Sequence, residues 1–201
     1  MRCISILALA ASILASCTIL SPQPDATRWF VLATIEELDP ARTAAERAGH
    51  SLGIGPLTLP DYVLRRELVS RRGATRIVPF QDELWAEPLE KAVARVLASD
   101  LTFLTGARAV PHPWFTTEAP EMRVRIAFER FELEERARAV LVATWVLENE
   151  DGDTLHEHRS SIALPLADSN GTTAALELSR ALADLGEEIA GAWLSSAGGG
   201  M

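Results

Sequence analysis

The chain has 201 residues, 48% of them hydrophobic and 23% charged, which is enough apolar material for a real core and excludes a disordered chain. Its formal charge of −9 argues against a nucleic-acid partner and against adhesion to anionic lipid by charge alone. Once a leader is set aside, the length suits one domain.

The first element is that leader. Arg2 gives a positive start, Ile4 to Ala15 give an apolar stretch of secretory length, and small residues then precede Cys17. A transmembrane helix does not fit. Ile4 to Leu20 reaches the lower limit only by counting Ser5, Ser12, Ser16, Cys17 and Thr18, and Pro22 closes it. An ordinary cleaved signal would need the small residues and leave the cysteine a coincidence. Leu14-Ala15-Ser16-Cys17 resembles the lipobox of bacterial lipoproteins. There the thiol receives a diacylglyceryl group, the signal is cut before it, and the new amine is usually acylated. The resemblance implies a signal peptide over residues 1–16 and a lipidated tether over 17–28, with Cys17 as the lipidation site. Two acyl chains, at ~0.8 kcal/mol per buried CH₂, anchor stably where one binds reversibly. Cys3 leaves with the signal and Cys17 is consumed by lipid, so no disulfide is expected in the mature chain. In many Gram-negative bacteria Asp directly after the lipidated Cys favours inner-membrane retention. Thr18 stands there instead, which implies an outer-membrane lipoprotein whose domain faces the periplasm.

Residues 29–195 read as a single globular domain and 196–201 as a frayed tail. Trp29 to Ile35, apolar almost throughout, predicts a buried strand. Glu36 to His50 reads as a loop with one helical turn at most. Leu52 to Pro60 alternates aliphatics, and Pro56 confines it to a sheet edge or a bulge. Its Gly53-Ile54-Gly55 has no third glycine and no helix behind it, so a bulge explains it better than a phosphate loop. Arg72-Gly73-Ala74-Thr75 predicts the turn of a hairpin.

Pro88 suits the first position of a helix whose apolar side chains run from Leu89 to Leu104, with Gly106 as its stop. Ala107 to Glu121 reads as a proline-broken loop. Strands follow over Val124 to Phe131, Ala139 to Leu147 and Leu155 to Leu164, the last two joined by the turn Asn149 to Asp153. A final helix opens at Asn170-Gly171-Thr172 and runs to about Ser195. Leu178, Leu182, Leu185 and Ile189 form its stripe, and Glu177, Asp184, Glu187 and Glu188 lie off it. The expected fold class is α/β: about seven strands in a mixed sheet, packed with two main amphipathic helices.

These residues together resemble the ABC-type transport auxiliary lipoproteins, the PqiC-like family. The likeness rests on the lipobox, Gly55-Pro56 with Leu59-Pro60, Arg71-Arg72-Gly73 before Arg76, and Trp85-Ala86-Glu87-Pro88-Leu89. It continues through Arg130-Phe131-Glu132, Trp145 and Leu178-Ser179-Arg180-Ala181-Leu182. The resemblance implies a fold similar to the anticodon-binding and TolB N-terminal domains, and no chemistry. It also implies work beside an MCE-domain protein that spans the periplasm and, through it, an inner-membrane permease and ATPase. The implied cargo is phospholipid or a related apolar envelope component.

The mature chain offers few groups suited to catalysis: it is expected to have no free cysteine, and its histidines are His50, His112, His156 and His158. His156 and His158 share a strand face as a zinc pair would, but need further ligands, and Glu157 points the other way. The expectation is exposed histidines, no catalytic residue, no metal and no cofactor. The acidic pairs Glu134-Glu135, Glu148 to Asp153 and Glu187-Glu188 read as solvated. Trp85 and Trp145 read as core. Gly55 and Pro56, with Trp114 and Phe115 in a proline-rich loop, are the candidate partner contacts. The leading function is an accessory lipoprotein that docks the distal end of a lipid-transport bridge, with a homo-oligomer open. A lipid-binding module that shelters an acyl chain stands second, and an envelope hydrolase third.

Overall fold

The structure, a computed structural model, describes residues 26–46, 49–114, 119–135, 138–168 and 170–198. Cys17, the leader, Phe115 and the last three residues lie outside the described residues.

The sheet is built on its longest strand, β6 (Met122–Glu134). Buried Val124, Ile126 and Phe128 alternate there with exposed Arg125, Ala127 and Glu129, so one face meets the core and the other meets water. One edge of β6 pairs antiparallel along its whole length with β7 (Arg138–Asn149), which pairs with β8 (Thr154–Pro165). The other edge forks. Residues 122–127 take β2 (Ser51–Thr58) in parallel, and residues 133–134 take β3 (Glu67–Arg72) in parallel. The β2 branch ends in the short parallel strand β5 (Arg108–Pro111). The β3 branch continues through β4 (Arg76–Trp85) to β1 (Arg28–Phe30). The result is one open mixed sheet of eight strands.

Helices α2 (Leu89–Thr105) and α3 (Gly171–Gly198) pack on each other and on the inner face. Val93, Val96, Leu97 and Leu101 from α2 and Leu178, Leu182, Leu185 and Ile189 from α3 are buried against Leu52, Ile54, Leu141 and Leu147. This is the α/β architecture that the apolar periodicity implies. Gly106 caps α2 in the left-handed region at φ 69°, donating its N–H to Thr102 O at 2.9 Å. Pro88 is the N-cap rather than the first helical residue. A short helix, α1 (Ile35–Leu38), is held by a capping box between Thr34 and Glu37.

Several expectations need correction. Trp29 to Ile35 is not a buried strand: β1 stops at Phe30, Trp29 and Val31 are 49% and 56% exposed, and Ile35 begins α1. Apolar composition cannot tell an outer strand end from an inner one. Ala107 to Glu121 is not all loop, because Arg108–Pro111 adds the eighth strand. The Leu52–Pro60 strand is not a simple edge, since β5 covers Ser51 to Ile54. The frayed tail begins later than residue 196, as α3 runs to Gly198. Glu177 is buried and pairs with Arg180 at 2.5 Å.

Candidate functional site

At the rim of the β2 branch the parallel ladder with β6 slips between Ile54 and Leu57. Gly55 and Pro56 form that bulge, Gly55 at φ +114°, a conformation open to glycine and strained for other residues. His112 N donates to Ile54 O at 2.8 Å, so the chain leaving β5 closes over the bulge. The His112 ring meets Trp114 edge to face with centroids 5.1 Å apart, and Trp114 Nε1 donates to Val110 O at 2.9 Å. Trp114 is half-buried and lies directly on Gly53. Gly55, Pro56 and Trp114, far apart in sequence, therefore share one rim. Beyond Ile54 no strand flanks the outer edge of Leu57 and Thr58 among the described residues.

A second cluster joins residues that sequence reasoning quoted only as motifs. Glu132 is fully buried. Its carboxylate accepts from Arg71 Nε at 2.7 Å, Arg130 Nε at 2.8 Å and Tyr62 OH at 2.6 Å. Arg71 Nη2 also donates to Tyr62 OH at 3.0 Å. Burial, then the hydrogen bond to Glu132 and its charge, push the Tyr62 hydroxyl up to about 12. The network pins the 3₁₀ turn Asp61–Val63 and strand β3 to β6 where the sheet forks. A buried carboxylate this well matched is a structural clamp: both oxygens are taken by donors. Tyr62 was missed, and its only sequence signal is that it is the one tyrosine of the chain.

Most members of the acidic pairs are exposed as expected, Glu134 and Glu148 are half-buried, and several are ion-paired. Glu134 is held by Arg130 at 2.8 Å and Arg138 at 2.5 Å, Glu148 by Arg125 at 2.5 Å, and Glu187 by Arg42 at 2.5 Å. His156 and His158 are exposed and part company: His156 Nε2 lies 3.4 Å from Ser195 Oγ, and His158 Nε2 4.0 Å from Glu188. Among the described residues no group of three or more His, Cys, Asp and Glu gathers as metal ligands would. Trp85 and Trp145 are buried, as core tryptophans should be, and Trp145 Nε1 donates to Ser160 Oγ at 3.0 Å.

The family comparison matches this architecture. The model of the ABC-type transport auxiliary lipoprotein component matches residues 32–190, and the chain belongs to that family. It is thus a lipoprotein-family component that assists a transport system. Among solved structures it is similar to an uncharacterized protein, 16% identical at a TM-score of 0.67, over 82% of this chain and 96% of that one. It is also similar to protein XCC0632 from Xanthomonas campestris, 13% identical at a TM-score of 0.62, over 82% of this chain and 93% of that one. Both likenesses establish the shared fold. No curated protein matches the chain.

Proposed function

We propose that this protein is a non-catalytic outer-membrane lipoprotein, anchored through Cys17, that docks the membrane-distal end of a periplasm-spanning MCE-domain protein. The inner-membrane permease and ATPase connect to it only through that bridge. The observation that carries the reading is the half-open edge of β2. Leu57 and Thr58 are paired on one side by Ile126 and Ala127, while β5 ends opposite Ile54. An extended segment that adds to this edge gains main-chain hydrogen bonds, and the His112–Trp114 stack beside it offers an aromatic anchor. Family membership supports the auxiliary role.

The test uses the full acylated protein in detergent and the purified MCE partner. Capture of the partner, weakened at least tenfold by Trp114→Ala and by Leu57→Pro, supports docking at this edge. Capture unaffected by either variant rules the edge out. In parallel, phospholipid turnover abolished by a point substitution at any polar residue would make the protein an enzyme and overturn the accessory reading. The anchor is read separately: radiolabelled palmitate should enter the wild type and not Cys17→Ser.

A further inference from the structure

Three of the large apolar side chains that the domain leaves in water gather on the other branch of the sheet, beside the segment where the tether joins the fold. Trp29 is 49% exposed, Val31 56% and Leu64 44%. Val31 follows directly on β1, two residues after Trp29. Phe30 O accepts from Ala86 N at 2.8 Å, and Arg66 O accepts from Trp85 N at 2.6 Å, so the three segments are stitched together. The Arg66 guanidinium lies 4.8 Å over the Trp29 ring. Between these segments Leu64, Arg65, Arg66, Trp85, Pro88 and Leu89 line a groove of about 480 Å³.

We infer that this face rests on the bilayer that carries the acyl chains, with Trp29, Val31 and Leu64 at headgroup depth. The inference rests on the Cys17 anchor proposed above. Residues 18–27 separate Cys17 from β1, and even fully extended they reach at most about 36 Å, so the tether keeps β1 within that distance of the lipid. A tryptophan capped by an arginine, beside aliphatic side chains, has the composition of a membrane interface, where the ring sits among headgroups and the guanidinium reaches phosphate. Of the acids at this end, Glu83 is buried against Arg28, Glu67 is held by Arg65 at 3.1 Å and Glu87 by Arg95 at 2.6 Å, while Glu90 on the rim and Asp61 and Asp82 nearby in the chain are exposed. A protein of net charge −9 is not drawn to lipid by its overall field, so the contact is apolar, and the tether strengthens it by holding the face close. The partner edge of β2 lies on the separate branch of the fork, so both contacts can form at once.

The test reconstitutes the full acylated protein into vesicles of phosphatidylethanolamine and phosphatidylglycerol, with bromine-labelled acyl chains that quench tryptophan on contact. Trp85, Trp145 and Trp193 are buried and Trp114 is half-buried, so Trp29 should carry the response. The wild type should be quenched, and Trp29→Phe should lose that quenching while staying vesicle-bound. A protein acylated at Cys17 and vesicle-bound, but quenched equally with and without Trp29, would overturn the face and leave the anchor standing. Quenching through Trp29 in a protein that mass spectrometry shows unacylated would support the face and overturn the anchor. A photo-cross-linker on Leu64→Cys should label lipid. Labelling of a second copy or of the MCE partner instead would assign the groove to a protein interface and overturn the proposal.

Discussion

Gly53 is the floor on which the indole of Trp114 lies. A Cβ at position 53 would stand 2.6 Å from Trp114 Cζ2 and 2.5 Å from Pro120 Cγ. Real Cβ atoms do not approach so closely, so Gly53→Ala must push the proline-rich loop off the sheet. We expect it to cost about 1–3 kcal/mol, the range for overpacking. Because the clash is with Trp114, adding Trp114→Ala should recover part of the loss. Urea unfolding of the two single variants and the double variant measures that coupling.

Gly186 behaves in the opposite way. It sits in α3 facing α2, and a Cβ there would meet Asp100 Cβ at 3.7 Å and Leu104 Cδ1 at 3.8 Å, which is ordinary contact. Glycine inside a helix costs about 1 kcal/mol against alanine. Gly186→Ala is therefore expected to stabilise the domain by up to about 1 kcal/mol. A lower urea midpoint than the wild type would contradict this.

The contrast marks what the residues reveal without coordinates. Apolar periodicity located α2 and α3 and alternation located β6, because those patterns record burial along one element, while the turn at Asn149 to Asp153 located β7 and β8 on either side of it. What they could not record is pairing between distant elements. Gly53 and Gly186 look alike in sequence, yet one lies under an indole and the other in a roomy helix contact. The edge-or-bulge reading of Leu52–Pro60 holds at the Gly55-Pro56 bulge and beyond it, but not over Ser51 to Ile54, because Arg108–Pro111 is too short to announce itself as a strand. Arg71, Glu132 and Tyr62 were visible only as scattered polar residues, and their convergence depends on β3 joining β6 at its far end. Gly55, Pro56 and Trp114 were named separately, and the fold supplied their common rim.

Tyr62 offers a direct spectroscopic test, because it is the only tyrosine. Burial first, then the Glu132 hydrogen bond and charge, raise its hydroxyl to about 12 against the lowering effect of Arg71. The folded state thus favours the neutral phenol, and the stability it contributes is lost as pH rises from the ordinary 10 through about 12. Ultraviolet titration of tyrosinate should show the native protein still unionised where the urea-unfolded chain has titrated. Glu132→Gln removes two of the causes and keeps the burial, so its midpoint should fall part of the way toward 10. It should also cost roughly 3–5 kcal/mol, because Arg71 and Arg130 are left facing a neutral partner in the interior. A midpoint unchanged by that substitution would mean Glu132 does not govern the tyrosine.

Asp100 supplies a pH dependence of the same sign in a lower window, at acidic pH. It is fully buried in α2, and its Oδ1 accepts from Ile35 N at 2.8 Å, tying the start of α1 to the core. Its Oδ2 is buried without a hydrogen-bond partner among the described residues. Burial, with a smaller contribution from the charge of Glu37, raises the carboxyl from 3.8 to about 6 against the lowering effects of the Ile35 hydrogen bond and of Arg42. The folded state therefore holds a proton that the unfolded chain has released. Stability falls as pH rises from about 4 to about 6 and then levels off, by an amount on the order of 3 kcal/mol at neutral pH. Asp100→Asn keeps an oxygen for the Ile35 N–H and removes the ionisation. We expect the variant to be more stable than the wild type at pH 7, and the advantage to shrink toward zero or reverse near pH 4, where the wild-type carboxyl is protonated. Chemical unfolding of both proteins across that range measures it. A difference between them that does not change with pH would show that Asp100 does not titrate in this window.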